Sequence, residues 1–290
     1  MSTGRVIILG ADGTLGQVLQ RVFSGHEVIT LTSEDIDVTK KDSIQKILVP
    51  ALTGVVDAVV FNATAINAVD KITTDPEVNK LAYAVNGEAA GALAAVAREH
   101  GAQFVHYSTD YVFDGSASTP YTEQDVPQPQ SEYAKSKLAG EVATLAAYPD
   151  ALVVRTSRLF GAAGSSSMSK KSFVDMVKQG VADGKPMQFV DEEIAGPTWV
   201  DDLAKFSREL LEQKQPGGVY HGTNDGQCTW YGFAQEILRQ IGSSLPITPV
   251  PASTFPRPAN RPAYSVLSST KVPQMRDWKL ALADYLKSSS

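Results

Sequence analysis

The sequence predicts a doubly wound α/β fold: a parallel central sheet with helices on both faces, and a smaller C-terminal lobe. Three observations carry that prediction. Short apolar runs recur through the first two-thirds of the chain, helix-forming stretches separate them, and the first run ends in a glycine-rich turn that opens an amphipathic helix. Strands buried on both faces of a parallel sheet read as near-continuous apolar runs. Strands alternating with helices build such a sheet.

The runs come in order. Val6-Ile7-Ile8-Leu9 ends at Gly10, and Val28-Ile29-Thr30-Leu31 follows. Ala58-Val59-Val60-Phe61, Phe104-Val105-His106-Tyr107 and Leu152-Val153-Val154 complete the first five strands. The clearest helix runs from about Glu77 to His100, rich in Ala, Leu and Val, and stops before Gly101. After Gly161 the texture changes. Ala162 to Ser169 is Gly/Ser-rich and reads as a mobile loop, Gly180 to Pro186 and Gln213 to Gly218 are breaks, and Pro246 to Pro262 is proline-dense and reads as extended. Gly218-Val219-Tyr220-His221 reads as a strand crossing back to the sheet. The expected division is a dinucleotide-binding domain over 1–160, with returning segments near 196–224, and a discontinuous lobe mostly over 161–290. No internal repeat or coiled coil is visible.

The chain has 290 residues, enough for one large domain or two unequal ones. Lys plus Arg number 26 against 32 Asp plus Glu, a net charge of −6, which argues against a nucleic-acid partner. Cys228 is the single cysteine, so no intramolecular disulfide forms, as suits a reducing compartment. The N-terminal residues lack signal-peptide architecture and no apolar run is long enough to span a bilayer, so a cytoplasmic location is expected. His26, His100, His106 and His221 are scattered without ligand spacing, and no metal site is expected.

Gly10-Ala11-Asp12-Gly13-Thr14-Leu15-Gly16 has the form G-x-x-G-x-x-G between strand and helix. Such glycines let the backbone turn tightly against a pyrophosphate, while the helix N-terminus supplies N–H donors. This is the signature of a dinucleotide coenzyme. The second strand ends near Thr32-Ser33, with neither an acid to select NAD nor an arginine to favour NADP at its end, so both NADH and NADPH stay open. Asp37-Val38 has two readings: contact with the adenine edge, or a cap by Asp37 on the helix starting near Lys40 to Ser43.

Tyr133 and Lys137, in Tyr133-Ala134-Lys135-Ser136-Lys137, are four apart and share a face of a helix. A free tyrosine hydroxyl titrates near ~10, and a nearby ammonium pulls that value down. The pair suits carbonyl reduction or alcohol oxidation. Glu141 continues the same face, either paired with Lys137 or at the surface. Ser108-Thr109-Asp110-Tyr111 follows the fourth strand, where doubly wound sheets bind ligands, and Thr109 is placed to donate to a substrate carbonyl beside Tyr133.

These elements in this order resemble the extended short-chain dehydrogenase/reductase superfamily, whose coenzyme domain is a Rossmann fold. Within it the chain is similar to the dTDP-4-dehydrorhamnose reductase family. The likeness rests on Ser108 to Gly115, on Asn62-Ala63-Thr64-Ala65 with Ala68-Val69-Asp70, and on Glu132 to Glu141. It continues through Arg155-Thr156-Ser157, Gly196-Pro197-Thr198, Thr229-Trp230 with Phe233-Ala234, and Arg261-Pro262 with Ser265 and Leu267. The resemblance implies NAD(P)H-dependent reduction of a 4-keto-6-deoxy sugar nucleotide, the last step of an activated L-rhamnose pathway, by a monomer or homodimer. By the family's motif Thr109, Tyr133 and Lys137 are catalytic, with Lys137 also holding the nicotinamide ribose. Ala63, Thr64, Ala65 and Ser108 then line the coenzyme channel, and Asp110, Tyr111 and Phe113 border the sugar. Arg261 is the candidate for the nucleotide diphosphate, with a structural salt bridge as its other reading.

Nucleotide-sugar 4,6-dehydratases carry Thr-Asp-Glu at the strand end; Tyr111 breaks that acid/base pair. Three positions depart from the family: Asp12 places a carboxylate in the phosphate turn, either capping the helix or facing solvent. Arg158 stands where Trp is usual, bringing a charge to the sugar pocket, and Tyr264 stands where Asn is usual. The regulatory subunit of methionine adenosyltransferase looks like the same family, so a non-catalytic dinucleotide-binding partner is the alternative function.

Overall fold

The computed structural model describes residues 4–165 and 171–288; positions 166–169 of the Gly/Ser-rich stretch lie outside the described residues. The first half runs β1 (Arg5–Leu9), α1 (Thr14–Val22), β2 (Glu27–Leu31), α2 (Lys41–Leu52), β3 (Val59–Asn62), α3 (Val69–Thr74), α4 (Pro76–Ala82), α5 (Ala89–Glu99), β4 (Gln103–Thr109), α6 (Glu132–Ala147) and β5 (Leu152–Thr156). The second half continues with β6 (Leu159–Phe160), α7 (Phe173–Ala182), β7 (Met187–Val190), β8 (Thr198–Trp199), α8 (Val200–Glu212), β9 (Gly218–His221), β10 (Asn224–Asp225), α9 (Trp230–Gln240), β11 (Ile247–Val250), β12 (Met275–Asp277) and α10 (Trp278–Ser288).

The main sheet has six strands in the order β2-β1-β3-β4-β5-β9, all parallel. The chain reverses direction across the sheet between β1 and β3, the switch point at which such sheets open a ligand crevice. Alternate residues of β1 serve different cores: Val6 and Ile8 pack on the face that includes α1 and α8, Ile7 and Leu9 on the face that includes α2 and α5. Period-two alternation with apolar contacts on both faces gives the unbroken apolar runs of the sequence.

The long helix expected over Glu77 to His100 is interrupted. Asp75 caps α4, accepting from the Glu77 and Val78 amides at 3.0 and 3.3 Å. Between α4 and α5 the chain widens into a π-helical turn over Tyr83–Glu88. The turn carries Asn86, whose side chain bonds the Ile66 backbone at 2.8 and 3.0 Å and Ser136 Oγ at 2.9 Å. It ties the loop after β3 to α6. Gly140 lets α6 cross this turn closely, since a Cβ there would lie 2.0 Å from the Asn86 carbonyl oxygen.

Beyond β5 the chain alternates between the main sheet and smaller units. β9 extends the sheet beside β5, and α8 packs on α1. β7 and β11 form a separate parallel pair beside α9. The proline-dense segment is thus partly a strand, with Pro249 on a two-stranded ribbon that needs few ladder donors. Among the described residues no helix is long and apolar enough to cross a membrane.

Candidate active site

The glycine turn sits at the switch point. Gly10 has φ +75°, and a Cβ there would lie 2.9 Å from the Ala63 carbonyl. A side chain at this position strains the turn and collides with the loop after β3. Gly13 occupies the N-cap of α1 and gives no side-chain cap, so the first-turn amides of Thr14 and Leu15 are left for an outside acceptor. These features fit a dinucleotide pyrophosphate. Asp12 does not cap the helix, and the Leu15 side chain is buried in the core, leaving only its backbone for a ligand. Ala63 and Thr64 line the facing loop: Thr64 bonds Asn62 Oδ1 through its hydroxyl at 2.6 Å, while Ala65 is exposed. Asp37 does not cap α2, whose N-cap is Lys40. It bonds the Thr39 amide and hydroxyl, and the Lys40 ammonium holds its carboxyl down to about 2. Val38 is buried in the core.

One strand and the helix that follows it, joined by the long connection 110–131, bring the catalytic candidates together. Ser131 caps α6, accepting from the Ala134 amide at 3.3 Å. Tyr133 therefore lies in the first turn, with Lys137 one turn on. The Tyr133 hydroxyl faces the Thr109 side chain at the end of β4, and its ring meets Tyr111 edge-on at 6.0 Å. Lys137 is 2% exposed and donates to the Tyr107 carbonyl at 2.6 Å.

The expected depression of the Tyr133 hydroxyl by Lys137 is not found. Burial pushes this phenol above its ordinary value, helped by the Asp110 charge and opposed by the facing Thr109 side chain. Desolvation disfavours phenolate and outweighs an ammonium held at a backbone carbonyl one turn away. The phenol is therefore protonated at neutral pH. Burial also pulls Lys137 down to about 8.

Beneath the strand end lies a buried carboxylate. Asp110 accepts from Thr109 at 3.1 Å, from Ser157 at 2.8 Å and from Ser265. Burial raises its carboxyl above the usual range against these bonds. Ser265 arrives from the far end of the chain because Gly115 lies against Pro262, where a Cβ would sit 2.6 Å from the proline Cα.

The opposite wall is charged. Arg158, at φ +41°, stacks its guanidinium 4.2 Å over Trp230 and donates to the Cys228 and Glu193 carbonyls at 2.8 and 2.6 Å. Glu193 pairs with Arg257 and accepts from Trp230 Nε1 at 3.1 Å. Arg261 forms a two-pronged pair with Asp70 at 3.0 and 2.7 Å, which holds the Asp70 carboxyl below its usual range. Charges on Arg158, Glu193 and Arg261 all act on the buried Tyr111 hydroxyl, which burial pushes up to about 12.

The family model described as RmlD substrate binding domain matches residues 4–290. The chain belongs to this family. It is 35% identical to the dTDP-4-dehydrorhamnose reductase of Burkholderia thailandensis, over 96% of each chain. It is 38% identical to a probable dTDP-4,6-dihydroxy-2-methyloxan-3-one 4-ketoreductase of Streptomyces antibioticus, over 97% of this chain and 94% of the relative. The crystal structure of dTDP-4-dehydrorhamnose reductase from Bacillus anthracis in complex with NADP superimposes with a TM-score of 0.90 at 28% identity, covering 99% of both chains.

Within this RmlD-type chain, two expected site residues sit differently. Ser108 commits its hydroxyl to Glu141 at 2.5 Å, so it is not free for a coenzyme. Phe113 is 1% exposed, stacked 4.2 Å on Tyr121 with Arg155 5.1 Å above it, and supports the strand end from within the core. Glu141, on the Tyr133/Lys137 face, neither pairs with Lys137 nor lies at the surface; it is buried against Arg155. Ser157, Asp70 and Ser265 were legible as motif matches without assigned roles. Glu193 stands in an Asp191-Glu192-Glu193 run in which nothing singles it out, and Arg257 lies in the proline-dense segment. Among the described residues no group of three or more His, Cys, Asp or Glu is placed to hold a metal.

Proposed function

We propose that the protein reduces the 4-keto group of a 4-keto-6-deoxy sugar nucleotide with NADPH or NADH, converting dTDP-4-dehydro-L-rhamnose to dTDP-L-rhamnose. The observation that carries this reading is the convergence of Thr109, Tyr133 and Lys137 at the end of β4, on the same edge of the sheet as the glycine turn at the switch point. The names of the relatives support the substrate class, and the NADP complex of the Bacillus anthracis enzyme supports the coenzyme.

When bound, the reduced nicotinamide supplies a hydride to C4. Tyr133 gives its proton to the C4 oxygen; a phenol that burial keeps protonated is in the form this step needs. Thr109 hydrogen-bonds the same oxygen and fixes its direction. Lys137, anchored by the Tyr107 carbonyl, orients the nicotinamide ribose and offers positive charge to the phenolate that forms. Gly10, Asp12, Gly13, Thr14, Leu15 and Gly16 cradle the pyrophosphate, Asp37-Val38 lies toward the adenosine, and Ala63-Thr64-Ala65 lines the channel. Asp110, Tyr111 and Arg158 shape the sugar pocket. Arg261 exchanges Asp70 for the nucleotide diphosphate. Residues 1–160 serve the coenzyme and most of 161–290 the sugar nucleotide, in a cytoplasmic monomer or homodimer.

A second reading follows from Arg158. Its guanidinium fills the place where this family usually carries Trp, and the Streptomyces antibioticus relative is named for a different keto sugar. A reductase for another keto sugar nucleotide is therefore the alternative. Loss of reduced-nicotinamide absorbance is the test, with dTDP-4-keto-L-rhamnose made in situ and NADH and NADPH run in parallel. Turnover establishes the activity. No turnover with coenzyme binding intact points to another keto sugar, or to a non-catalytic binding partner.

A further inference from the structure

Behind the candidate catalytic set lies a buried charge network. Arg155 on β5 grips Glu141 on α6 through Nε at 2.9 Å and Nη2 at 2.7 Å. Ser108 on β4 adds its hydroxyl to the same carboxylate at 2.5 Å. Ser108, Glu141 and Arg155 are 5%, 2% and 3% exposed. One helical turn before Glu141, Lys137 is bonded to Tyr107, the neighbour of Ser108 on the same strand. The ammonium and the carboxylate thus share one face of α6, and both are anchored on consecutive residues of β4. A buried ammonium is costly unless a counter-charge stands near it.

The other groups around Lys137 do not fill that role. Tyr133 on α6 and Tyr107 on β4 are protonated phenols, which burial pushes above their ordinary value. His106 on β4 is buried and held neutral, far below its usual value. Asp110, at the strand end, is bonded to Thr109, Ser157 and Ser265 and is not a charge that acts on Lys137. Arg155 on β5 is a like charge, as is a protonated His221 on β9, and burial holds His221 neutral, down to about 4.

We propose that Glu141 is a positioning residue for Lys137: its buried carboxylate supplies the counter-charge that keeps Lys137 an ammonium, and its bond to Ser108 locks that turn of α6 to the catalytic end of β4. The balance of forces agrees in direction, since burial draws Lys137 down to about 8 and Glu141 is the charge that opposes the fall. Arg155 and Ser108 hold the carboxylate in place. The inference rests on the reductase reading only for its consequence in turnover.

The test reads Lys137 directly. Side-chain lysine resonances of the coenzyme-free protein are titrated by NMR, with K137R assigning the signal, in wild type, E141Q and E141D. Removing an opposite charge at close range moves a titration by about 1–3 pH units. E141Q should lower the Lys137 midpoint by at least about one unit, a tenfold change in its acid constant, and E141D should restore part of the fall. In keto-sugar reduction the alkaline limb of kcat/KM should move down by the same amount. Should E141Q not fold, E141Q/R155M removes the guanidinium that E141Q strands and should still show a fall, smaller because a like charge leaves with the carboxylate. A Lys137 midpoint unmoved in E141Q or in the double variant overturns the proposal. A midpoint that falls in a protein that reduces no keto sugar upholds it while the reductase reading fails.

Discussion

On the side of the cleft proposed for the coenzyme, Thr109, Tyr133 and Lys137 come from one strand and the helix after it, and beneath them Glu141 of that helix pairs with Arg155 of β5. On the side proposed for the sugar, Arg158, Glu193 and the segment that carries both Arg257 and Arg261 come from three loops and pair with backbone carbonyls, with each other or with Asp70. In the first set Thr109 and Lys137 are buried and Tyr133 half-buried, all fixed by regular structure. In the second Glu193 is buried, Arg158, Arg257 and Arg261 are half-buried, and the Asp70 partner side chain is 40% exposed. Chemistry common to many substrates tolerates a rigid frame. Choice of one sugar nucleotide needs groups that can release one partner for another.

The largest expected effect is on the rigid side. Tyr133→Phe should lower turnover by about 10²–10⁴-fold with coenzyme affinity unchanged, measured by steady-state kinetics beside a coenzyme titration. A variant as fast as wild type removes Tyr133 from the chemistry. Gly10→Val comes next. A left-handed backbone costs a branched residue about 1–3 kcal/mol, and its Cβ meets the Ala63 carbonyl at 2.9 Å. Coenzyme affinity should fall at least about tenfold, equal to ~1.4 kcal/mol, and an unchanged titration breaks the glycine-turn assignment.

Substitutions on the sugar side should act on substrate alone. Arg158→Trp frees the Glu193 and Cys228 carbonyls and restores the family's usual residue. The KM for dTDP-4-keto-L-rhamnose should change by about 10-fold or more, with NADPH affinity untouched. A coenzyme affinity that moves in parallel would show the two sides to be one unit. Smallest is Asp70→Asn, which removes the carboxylate competing for Arg261. A partly exposed pair contributes about 0–1 kcal/mol, so KM for the sugar nucleotide should fall no more than about fivefold. A rise in KM would make the pair a support for the site instead of a competitor.

The rigid side was legible in the sequence because its signals are local. Apolar runs of β1 to β5, a glycine turn between strand and helix, and a Tyr/Lys pair four apart each need only short-range geometry. Local signals misled where burial intervened. Ser108 and Phe113 lie in a motif that borders the cleft, yet both turn inward: Ser108 is still within β4, where Glu141 of α6 takes its hydroxyl, and Phe113 follows a 3-10 turn that lays its ring on Tyr121. The Tyr133 phenol rises where a helical lysine neighbour alone predicts a fall, because desolvation is set by the whole fold.

The sequence by itself determined the class of sheet, the coenzyme turn, the candidate redox pair and the family. Those depend on periodicity and spacing along the chain. The tertiary structure alone decided that Glu141 is buried against Arg155, that Ser265 reaches Asp110 from 155 positions away, and that Arg158 stacks on Trp230. Each is a contact between distant segments, and its cost or gain depends on how much water the packed fold excludes. No pattern in the chain records that quantity before the chain has folded.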